Sequence, residues 1–154
     1  MISESMWYLR GYARFAVYSD QIYEYERTKG SVYSGRPTTW TGKIAIAYPS
    51  DYGYAADLSL CQKSLYDYND STCTSNNWMK NIITNNDSSV GWLLTPNSGY
   101  SYNVWLVGSS GYVLNFNYYP YHANGVVPVL YLNSNISIKE DTDGTTSNPF
   151  KLIP

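Results

Sequence analysis

The sequence predicts an α+β fold in which two short helices surround a mainly antiparallel β core rich in hairpins. The strongest support lies between Trp92 and Leu132, where three apolar runs alternate with segments built from Tyr, Asn, Ser and Gly. These runs are Trp92–Leu94, Val104–Val107 and Val126–Leu132. Apolar β-formers bounded by turn residues are typical of buried strands. The chain of 154 residues is expected to form one domain, 1–154, that buries its own core.

Short apolar segments bounded by Gly, Pro and polar residues predict the individual strands. In chain order we expect strands at Met6–Leu9, Phe15–Tyr18, Lys43–Tyr48, Val90–Leu94, Asn103–Val107, Tyr112–Phe116, Val126–Leu132 and Ile136–Ile138. The segment Gly108–Gly111 predicts a hairpin between two of them. The residues expected in the core are Trp92, Leu94, Val104, Leu106, Val113, Val129 and Leu130.

The first predicted helix begins near Asp20, a good capping residue, and ends at Gly30. Its charged side chains, Glu24, Glu26 and Arg27, are interpreted as a solvated face. We expect residues 49–55, which contain Pro, Ser, Asp and Gly, to form a loop.

The second predicted helix spans Asn77–Ile83, where Trp78, Met79 and Ile82 form an apolar face. Thr74 or Ser75 would cap it. The run of Asn and Asp at 85–87 would end it.

The composition favours contact surfaces made of amphipathic aromatic residues. Tyr occurs 18 times and Trp five times, against three Phe. Tyr combines a large contact area with a hydroxyl group that can stay hydrated. Charged residues are only 14% of the chain, with 10 basic against 12 acidic, so the electrostatic footprint of a nucleic-acid-binding protein is missing. Low charge with many neutral polar residues is common in exported proteins.

The two cysteines, Cys61 and Cys73, lie close together in a polar segment. Metal binding would require more ligands, and a redox pair would normally have two residues between the cysteines. A local disulfide is the preferred interpretation, with two reduced thiols as the alternative. A disulfide would imply an oxidising compartment outside the cytoplasm.

The two ends of the chain carry weaker signals. The start has no cationic region followed by an apolar one, and no apolar run reaches the roughly 20 residues of a membrane span. If the protein is exported, its targeting segment and any anchor are expected outside this chain, which would then be a fragment of a longer protein. Asp141, Asp143 and Gly144 resemble part of a calcium loop, but the further ligands and closing Glu are missing, so turn chemistry is favoured.

Several motifs in the same order resemble one known family. They are residues 31–55, the pair Cys61 and Cys73, Asn77-Trp78, residues 91–96 (GWLLTP) and residues 125–132 (GVVPVLYL). Together they resemble C-type-lectin-fold domains of exported, pilin-like or surface-anchored proteins of Gram-positive gut bacteria. The resemblance covers residues 23–152 and implies a C-type lectin-like fold and an extracellular or cell-surface location.

The chain is also similar to the variable proteins of diversity-generating retroelements. In those proteins a reverse transcriptase rewrites chosen Asn-type codons, which enriches loops in Asn, Tyr, Ser, Asp and His. The segments Asn97–Asn103 and Asn115–Asn124 show this enrichment. The chain departs from the family at Val127, where the family usually has Arg. If that Arg normally holds a buried carboxylate or carbonyl, this chain must satisfy the group in another way.

These observations predict an extracellular binding and adhesion module that contacts a protein or glycan partner through its polar aromatic loops. Tyr supplies contact area at low conformational-entropy cost, and Asn and Ser adapt to a partner's hydrogen bonds. The predicted ligand-binding residues are Ser98, Tyr100, Tyr102, Asn103, Asn115, Asn117, Tyr118, Tyr119, Tyr121, His122 and Asn124. We expect no catalytic residues, no metal, no cofactor and no nucleic-acid partner.

Three alternatives remain at this level. A calcium-dependent lectin would need acidic ligands beside Pro96, and none is present. A formylglycine-generating type of enzyme shares a related fold, but it uses a cysteine pair late in the chain, whereas Cys61 and Cys73 precede the final β region. A structural or tip subunit of a pilus-like assembly would use the same Tyr-rich surface to contact further copies of itself.

Overall fold

The computed structural model describes residues 2–14, 16–87, 89–115, 119–143, 145 and 147–153. It confirms an α+β fold with short helices and small antiparallel sheets. The strands are β1 (Ser5–Tyr8), β2 (Thr39–Gly42), β3 (Ala45–Ile46), β4 (Gly91–Pro96), β5 (Val104–Val107), β6 (Val113–Leu114), β7 (Pro128–Val129), β8 (Ser137–Ile138) and β9 (Leu152–Ile153).

The central sheet has the order β4-β5-β6 and is antiparallel throughout. In its register, Leu106 lies opposite both Trp92 and Leu114. The predicted hairpin is confirmed, since the Gly108 N–H donates to the Tyr112 carbonyl at 2.8 Å. Gly111 has a φ of +99°, which favours glycine in this turn. This sheet supports both loops in which ligand-binding residues were predicted.

Paired strands form the remaining sheets: β1 with β2, β3 with β7, and β8 with β9. Strand β2 lies in a segment for which no strand was predicted. The predicted strand Lys43–Tyr48 shortens to β3, and the predicted strand Val126–Leu132 shortens to β7. A strand was also predicted at Phe15–Tyr18. Phe15 lies outside the described residues, and residues 16–18 do not form a strand.

The first predicted helix is confirmed as α1 (Ser19–Glu24), which continues as a π-helical turn over Tyr25–Lys29. It begins one residue before Asp20. The capping contact comes from Gln21, whose side-chain oxygen accepts a hydrogen bond from the Tyr18 N–H at 3.1 Å.

The expectation of a loop over residues 49–55 was wrong, because Pro49–Tyr54 forms helix α2. Pro49 occupies the first helical position, where its missing N–H costs nothing. Asp51 caps the helix by accepting a hydrogen bond from the Tyr48 N–H at 2.9 Å. The described residues thus contain more helices than the two expected.

The structure does not have the single helix that was expected over Asn77–Ile83. Two short helices are present instead, α3 (Ser71–Thr74) and α4 (Lys80–Ile83), with a 3₁₀ turn at Leu65–Asp67 before them. Asp70 caps α3 through the Thr72 N–H at 2.9 Å. The predicted end is confirmed, because residues 85–87 all have positive φ angles, of 47°, 52° and 67°.

The core lies between α1, α2 and the central sheet and includes Ile22, Tyr52, Leu65 and Trp105 among its fully buried side chains. Among the predicted core residues, Leu106 and Val113 are buried. Trp92, Leu94, Val104 and Val129 are only half-buried, and Leu130 is exposed. In β4 the buried side chains are Leu93 and Thr95, since alternate residues of a strand face opposite sides.

The predicted disulfide joins Cys61 to Cys73, and both residues are buried. Such a bond is typical of proteins that fold in an oxidising compartment. Among the residues described, no helix is both long and apolar enough to cross a lipid bilayer.

Candidate ligand-binding surface

A continuous set of aromatic rings links the two predicted ligand-binding loops. The Tyr102 ring lies 5.2 Å from that of Tyr119, measured between centroids, and 6.4 Å from that of Tyr100. Tyr119 stacks on Tyr121 at 5.3 Å with the two planes 10° apart. The His122 ring meets both of these tyrosines edge-on. We call these five residues the aromatic surface.

Most of the aromatic surface is open to solvent. Tyr100 and Tyr102 are 53% and 51% exposed, and Tyr121 is 78% exposed. His122 is also exposed, whereas Tyr119 is half-buried at the centre of the set. Tyr119 therefore joins the two loops, and the other rings present their faces and edges outward.

The central sheet holds the first loop, which connects β4 to β5. The Asn97 N–H donates to the Asn103 carbonyl at 2.9 Å and so closes the loop at its base. The Asn97 side chain braces it from within, accepting from the Gly99 N–H at 2.7 Å and donating to the Asn115 carbonyl at 2.9 Å. Asn97 is almost fully buried and was not among the predicted site residues. Its position at the end of β4 was the only signal for this supporting role.

The second loop connects β6 to β7 and is anchored at its far end. The Gly125 N–H donates to the Val90 carbonyl at 2.7 Å, and the Trp92 N–H donates to the Gly125 carbonyl at 2.9 Å. Within the loop, the His122 N–H donates to the Tyr119 carbonyl at 3.0 Å. The bonds of Gly125 hold the end of the second loop beside the start of β4.

Two predicted ligand-binding residues lie inside the scaffold. Asn103 and Asn115 are buried, at 5% and 0% exposure. The Asn115 side-chain amide donates to the Tyr12 carbonyl at 3.0 Å. Their side chains support the loops from below and are not part of the exposed face.

Some polar atoms at the loop roots are buried without a hydrogen-bond partner in the part of the chain that the structure describes. They are Oδ1 of Asn103, Oδ1 of Asn115 and Nδ2 of Asn124. Buried polar groups are normally paired, which makes these atoms exceptions. They are donors and acceptors beneath the loops that the described residues leave unused. Ser98 and Asn124 are half-buried, and the predicted site residues Asn117 and Tyr118 lie outside the described residues.

The aromatic surface is nearly free of formal charge, since His122 is the only titratable side chain in the two loops besides tyrosine. Across residues 2–14, 16–87, 89–115, 119–143, 145 and 147–153, no three His, Cys, Asp or Glu side chains form a group that could hold a metal ion. The aromatic surface can therefore bind a partner through aromatic contact area and through uncharged hydrogen-bond donors and acceptors.

A buried polar cluster that was not predicted surrounds the side chain of Glu26 in the π-helical turn. Glu26 is fully buried, although it was expected on a solvated face. Its carboxylate accepts hydrogen bonds from the Ser50 N–H at 3.1 Å, from the Ser50 hydroxyl, and from the Thr95 hydroxyl at 3.3 Å. Arg27 donates to the same carboxylate at 2.7 Å. Glu26 points inward because it lies four residues after the buried Ile22 and shares its face of the helix.

Burial raises the pKa of Glu26 to about 7, an effect that the Ser50 and Arg27 hydrogen bonds partly oppose. The Arg27 guanidinium carbon lies 3.8 Å from the Tyr23 ring centroid and 4.8 Å from that of Tyr48. Val127, the position at which the resembled family has Arg, packs half-buried against the core. The buried carboxylate of this chain is thus satisfied by Arg27, its neighbour in sequence.

Comparisons with protein-family profiles, with curated proteins and with solved structures find no match to this chain.

Proposed function

We propose that this protein is an extracellular binding module with a C-type lectin-like fold, which presents the aromatic surface to a protein or glycan partner. The observation that carries the proposal is the contact between Tyr102 and Tyr119, because it joins rings from two separate loops into one exposed surface. Scattered surface tyrosines would need no explanation, whereas a continuous exposed aromatic patch marks an interaction site.

The chemistry of the surface supports a partner that is uncharged where it makes contact. Tyr rings provide rigid contact area, and their hydroxyl groups donate and accept hydrogen bonds. The disulfide between Cys61 and Cys73 supports an extracellular or cell-surface location. The Asn- and Tyr-rich composition of the two loops supports diversification by a retroelement. A near-copy of the DNA that encodes Trp92–Leu132, next to a reverse transcriptase gene, would test that part of the proposal.

The binding proposal can be tested with arrays of immobilised glycans and of extracellular protein domains. A variant carrying Tyr100→Ser, Tyr102→Ser and Tyr121→Ser should lose retention on whichever array features hold the native protein. Tyr33→Ser is the matched control, because Tyr33 is also an exposed tyrosine but makes no contact with the aromatic surface among the ring contacts of the described residues. Retention that survives the triple substitution, or no retention of the native protein on any feature, would contradict the proposal.

A second candidate function is a subunit of a pilus-like assembly. The observation that favours it is a group of exposed apolar side chains on and beside the β8–β9 pair, at Ile138, Phe150, Leu152 and Ile153. Such a patch and an open strand edge are typical of surfaces that meet another chain. Sedimentation velocity over a wide concentration range separates the candidates. Polymers that disappear in the Tyr triple variant or in Ile138→Ser would support assembly, and a stable monomer would support a receptor for a foreign partner.

A further inference from the structure

A groove that shares no residue with the aromatic surface lies between α2 and the start of α4. It has a volume of about 380 Å³, within the range of small-molecule sites. Its exposed wall consists of two aromatic side chains, Trp78 and Tyr54, and one carboxylate, Asp51. Its apolar floor is lined by Ala47, Ala55, Met79 and Val129.

Trp78 is the most conspicuous part of this groove, because its side chain is 68% exposed. It was expected to pack on an apolar helix face, yet it lies just before α4 and points away from the core. Its backbone is fixed all the same: the Trp78 N–H donates to the Ala55 carbonyl at 3.4 Å. The neighbouring Asn77 is buried and donates to the Tyr52 carbonyl at 2.9 Å. An exposed indole on a fixed backbone is a preformed contact surface.

Tyr54 is held in a similar way. Its ring meets the edge of Tyr23 with centroids 6.1 Å apart. Tyr23 in turn stacks against the Arg27 guanidinium at 3.8 Å. Among the described residues, the cation–π contacts are those of Arg27 with Tyr23 and Tyr48, and none involves Tyr54 or Trp78.

Asp51 gives the groove its charge. It is exposed at the rim, and its Oδ2 atom accepts the hydrogen bond from the Tyr48 N–H. The surrounding protein raises the pKa of its carboxyl group through desolvation, and the hydrogen bond from Tyr48 and the charge of Arg27 partly offset this effect. When Glu26 is ionised, Arg27 neutralises it, and the Asp51 carboxylate is then a local excess of one negative charge. A cation in the groove would complement it.

We propose that the groove formed by Trp78, Tyr54 and Asp51 binds a quaternary ammonium group of the choline class. Aromatic faces attract cations through their quadrupole, and an adjacent carboxylate adds Coulombic attraction. A primary ammonium group carries three N–H donors; Asp51 can accept from part of this set, but the apolar floor offers no acceptor for the remainder. A trimethylammonium group has no N–H donor, so its methyl groups can contact Ala47, Met79 and Val129 without leaving a polar group unsatisfied.

Choline chloride is the probe for this site, and the indole N–H signal of Trp78 in a two-dimensional NMR spectrum is the readout. Choline should shift this signal in a saturable way. The uncharged carbon isostere, in which a tert-butyl group replaces trimethylammonium, should bind at least about fivefold more weakly, as expected when a cation–π contact is lost. Ethanolamine, which carries a primary ammonium group, should also bind more weakly than choline.

Substitutions in the groove should weaken choline binding without unfolding the protein. Asp51→Asn removes the charge while its side-chain oxygen can still accept from the Tyr48 N–H, and it should weaken binding by roughly tenfold. Tyr54→Leu, followed through the Trp78 signal, should have a comparable effect. Trp40→Ala removes an exposed indole elsewhere, on β2, and should leave the affinity unchanged.

The outcomes are decisive in either direction. A saturable Trp78 shift that prefers choline over its carbon isostere and weakens in Asp51→Asn supports the site. Equal affinity for the isostere would show an apolar groove without cation recognition, and an unchanged Trp78 signal in the presence of choline would show no site at all. Thermal melting of each variant shows that it is folded, and Asp51→Asn carries the test alone should Tyr54→Leu melt early. Substitutions in the aromatic surface should not change choline binding, because the groove shares no residue with that surface. The choline proposal and the proposed binding function can therefore be refuted separately.

Discussion

Ser50 donates two hydrogen bonds to the buried carboxylate of Glu26, one from its backbone N–H at 3.1 Å and one from its hydroxyl group. Ser50 follows Pro49 in the first turn of α2, and Glu26 lies in the π turn after α1. The contact therefore joins the first two helices through a polar group in an apolar environment. Thr95 of β4 adds a second hydroxyl donor to the same carboxylate and extends the link to the central sheet.

This arrangement predicts a pH-dependent stability. The pKa of Glu26 rises from 4.5 to about 7 on folding, chiefly because of burial. Between these values the folded protein binds more protons than the unfolded chain, so this contribution to stability is complete below the unfolded pKa and is lost as the pH rises through the folded one. The loss is on the order of 3 kcal/mol. Glu26→Gln should lack this slope when urea unfolding is measured at steps across the interval.

Asp51 has its pKa shifted in the same direction, but it is present in both proteins, so the difference between native and Glu26→Gln isolates Glu26. Parallel stability curves for the two proteins would contradict the prediction.

Removal of the disulfide should destabilise the protein substantially. The bond closes a loop with a sequence separation of 12 between Cys61 and Cys73. In the chain-entropy model, a loop of this size contributes about 3 kcal/mol. The double variant Cys61→Ala, Cys73→Ala should therefore show a free energy of unfolding lower by about that amount.

The bond itself is checked by mass spectrometry, since reduction adds two hydrogens, about 2 Da, to the intact protein. Labelling of free thiols in the native, unreduced protein would refute the bond.

Tyrosines of the core and of the aromatic surface should respond differently to loss of the hydroxyl group. The Tyr68 hydroxyl is buried, lies 2.9 Å from the Ser19 hydroxyl and donates to the Gly53 carbonyl at 3.2 Å. Tyr68→Phe leaves these partners unsatisfied and should cost about 1–2 kcal/mol. Tyr121→Phe, on the exposed surface, should change stability by less than about 0.5 kcal/mol. Thermal unfolding of the two variants gives the comparison, and a large loss in Tyr121→Phe would place that residue in the core.

The central sheet and the disulfide could be predicted because their signals are local. The apolar runs of β4 and β5 and the glycine-rich turn between β5 and β6 are visible in the sequence. The side of β4 that faces the core could not be predicted in the same way. Its residues Trp92, Leu93 and Leu94 are all apolar, so the alternation that normally distinguishes the two faces is missing.

Helix α2 was missed for a different reason. Pro49, Asp51 and Gly53 are turn residues in isolation, and the same Pro and Asp also form a good helix start. Its packing decides between the two: Gly53 lies so close to Ser19 that a Cβ there would be 2.3 Å from its hydroxyl oxygen. Contacts between α1 and α2 cannot be recognised from either segment alone.

The sequence predicted the composition of the candidate site but not which of its side chains are exposed and which are buried. The sequence indicates which loops are rich in Tyr and Asn, and the structure brings Tyr100, Tyr102, Tyr119, Tyr121 and His122 together. Asn103 and Asn115 have the same composition signal but are buried, because each adjoins a strand of the central sheet. Amide side chains serve equally well as exposed donors and as internal braces.

The pairing of Glu26 with Arg27 yields the last prediction. Arg27 donates to the Glu26 carboxylate at 2.7 Å and lies against the rings of Tyr23 and Tyr48. At pH 8, Arg27→Met removes the cation beside the ionised carboxylate, and Glu26 then takes up a proton. With a pKa of about 7, protonation at pH 8 costs about 1.4 kcal/mol, so the total loss, including the ring contacts, should be about 2 kcal/mol. At pH 5, where Glu26 is protonated, only the ring contacts and packing are lost, about 1 kcal/mol.

A double-mutant cycle with Glu26→Gln should remove the extra cost at pH 8, because no buried charge then needs the arginine. Urea unfolding of the four proteins at both pH values provides the measurement. If Arg27→Met cost the same in both backgrounds and at both pH values, the arginine would act through the tyrosine rings alone. The buried carboxylate would then depend on Ser50 and Thr95 for its stabilisation.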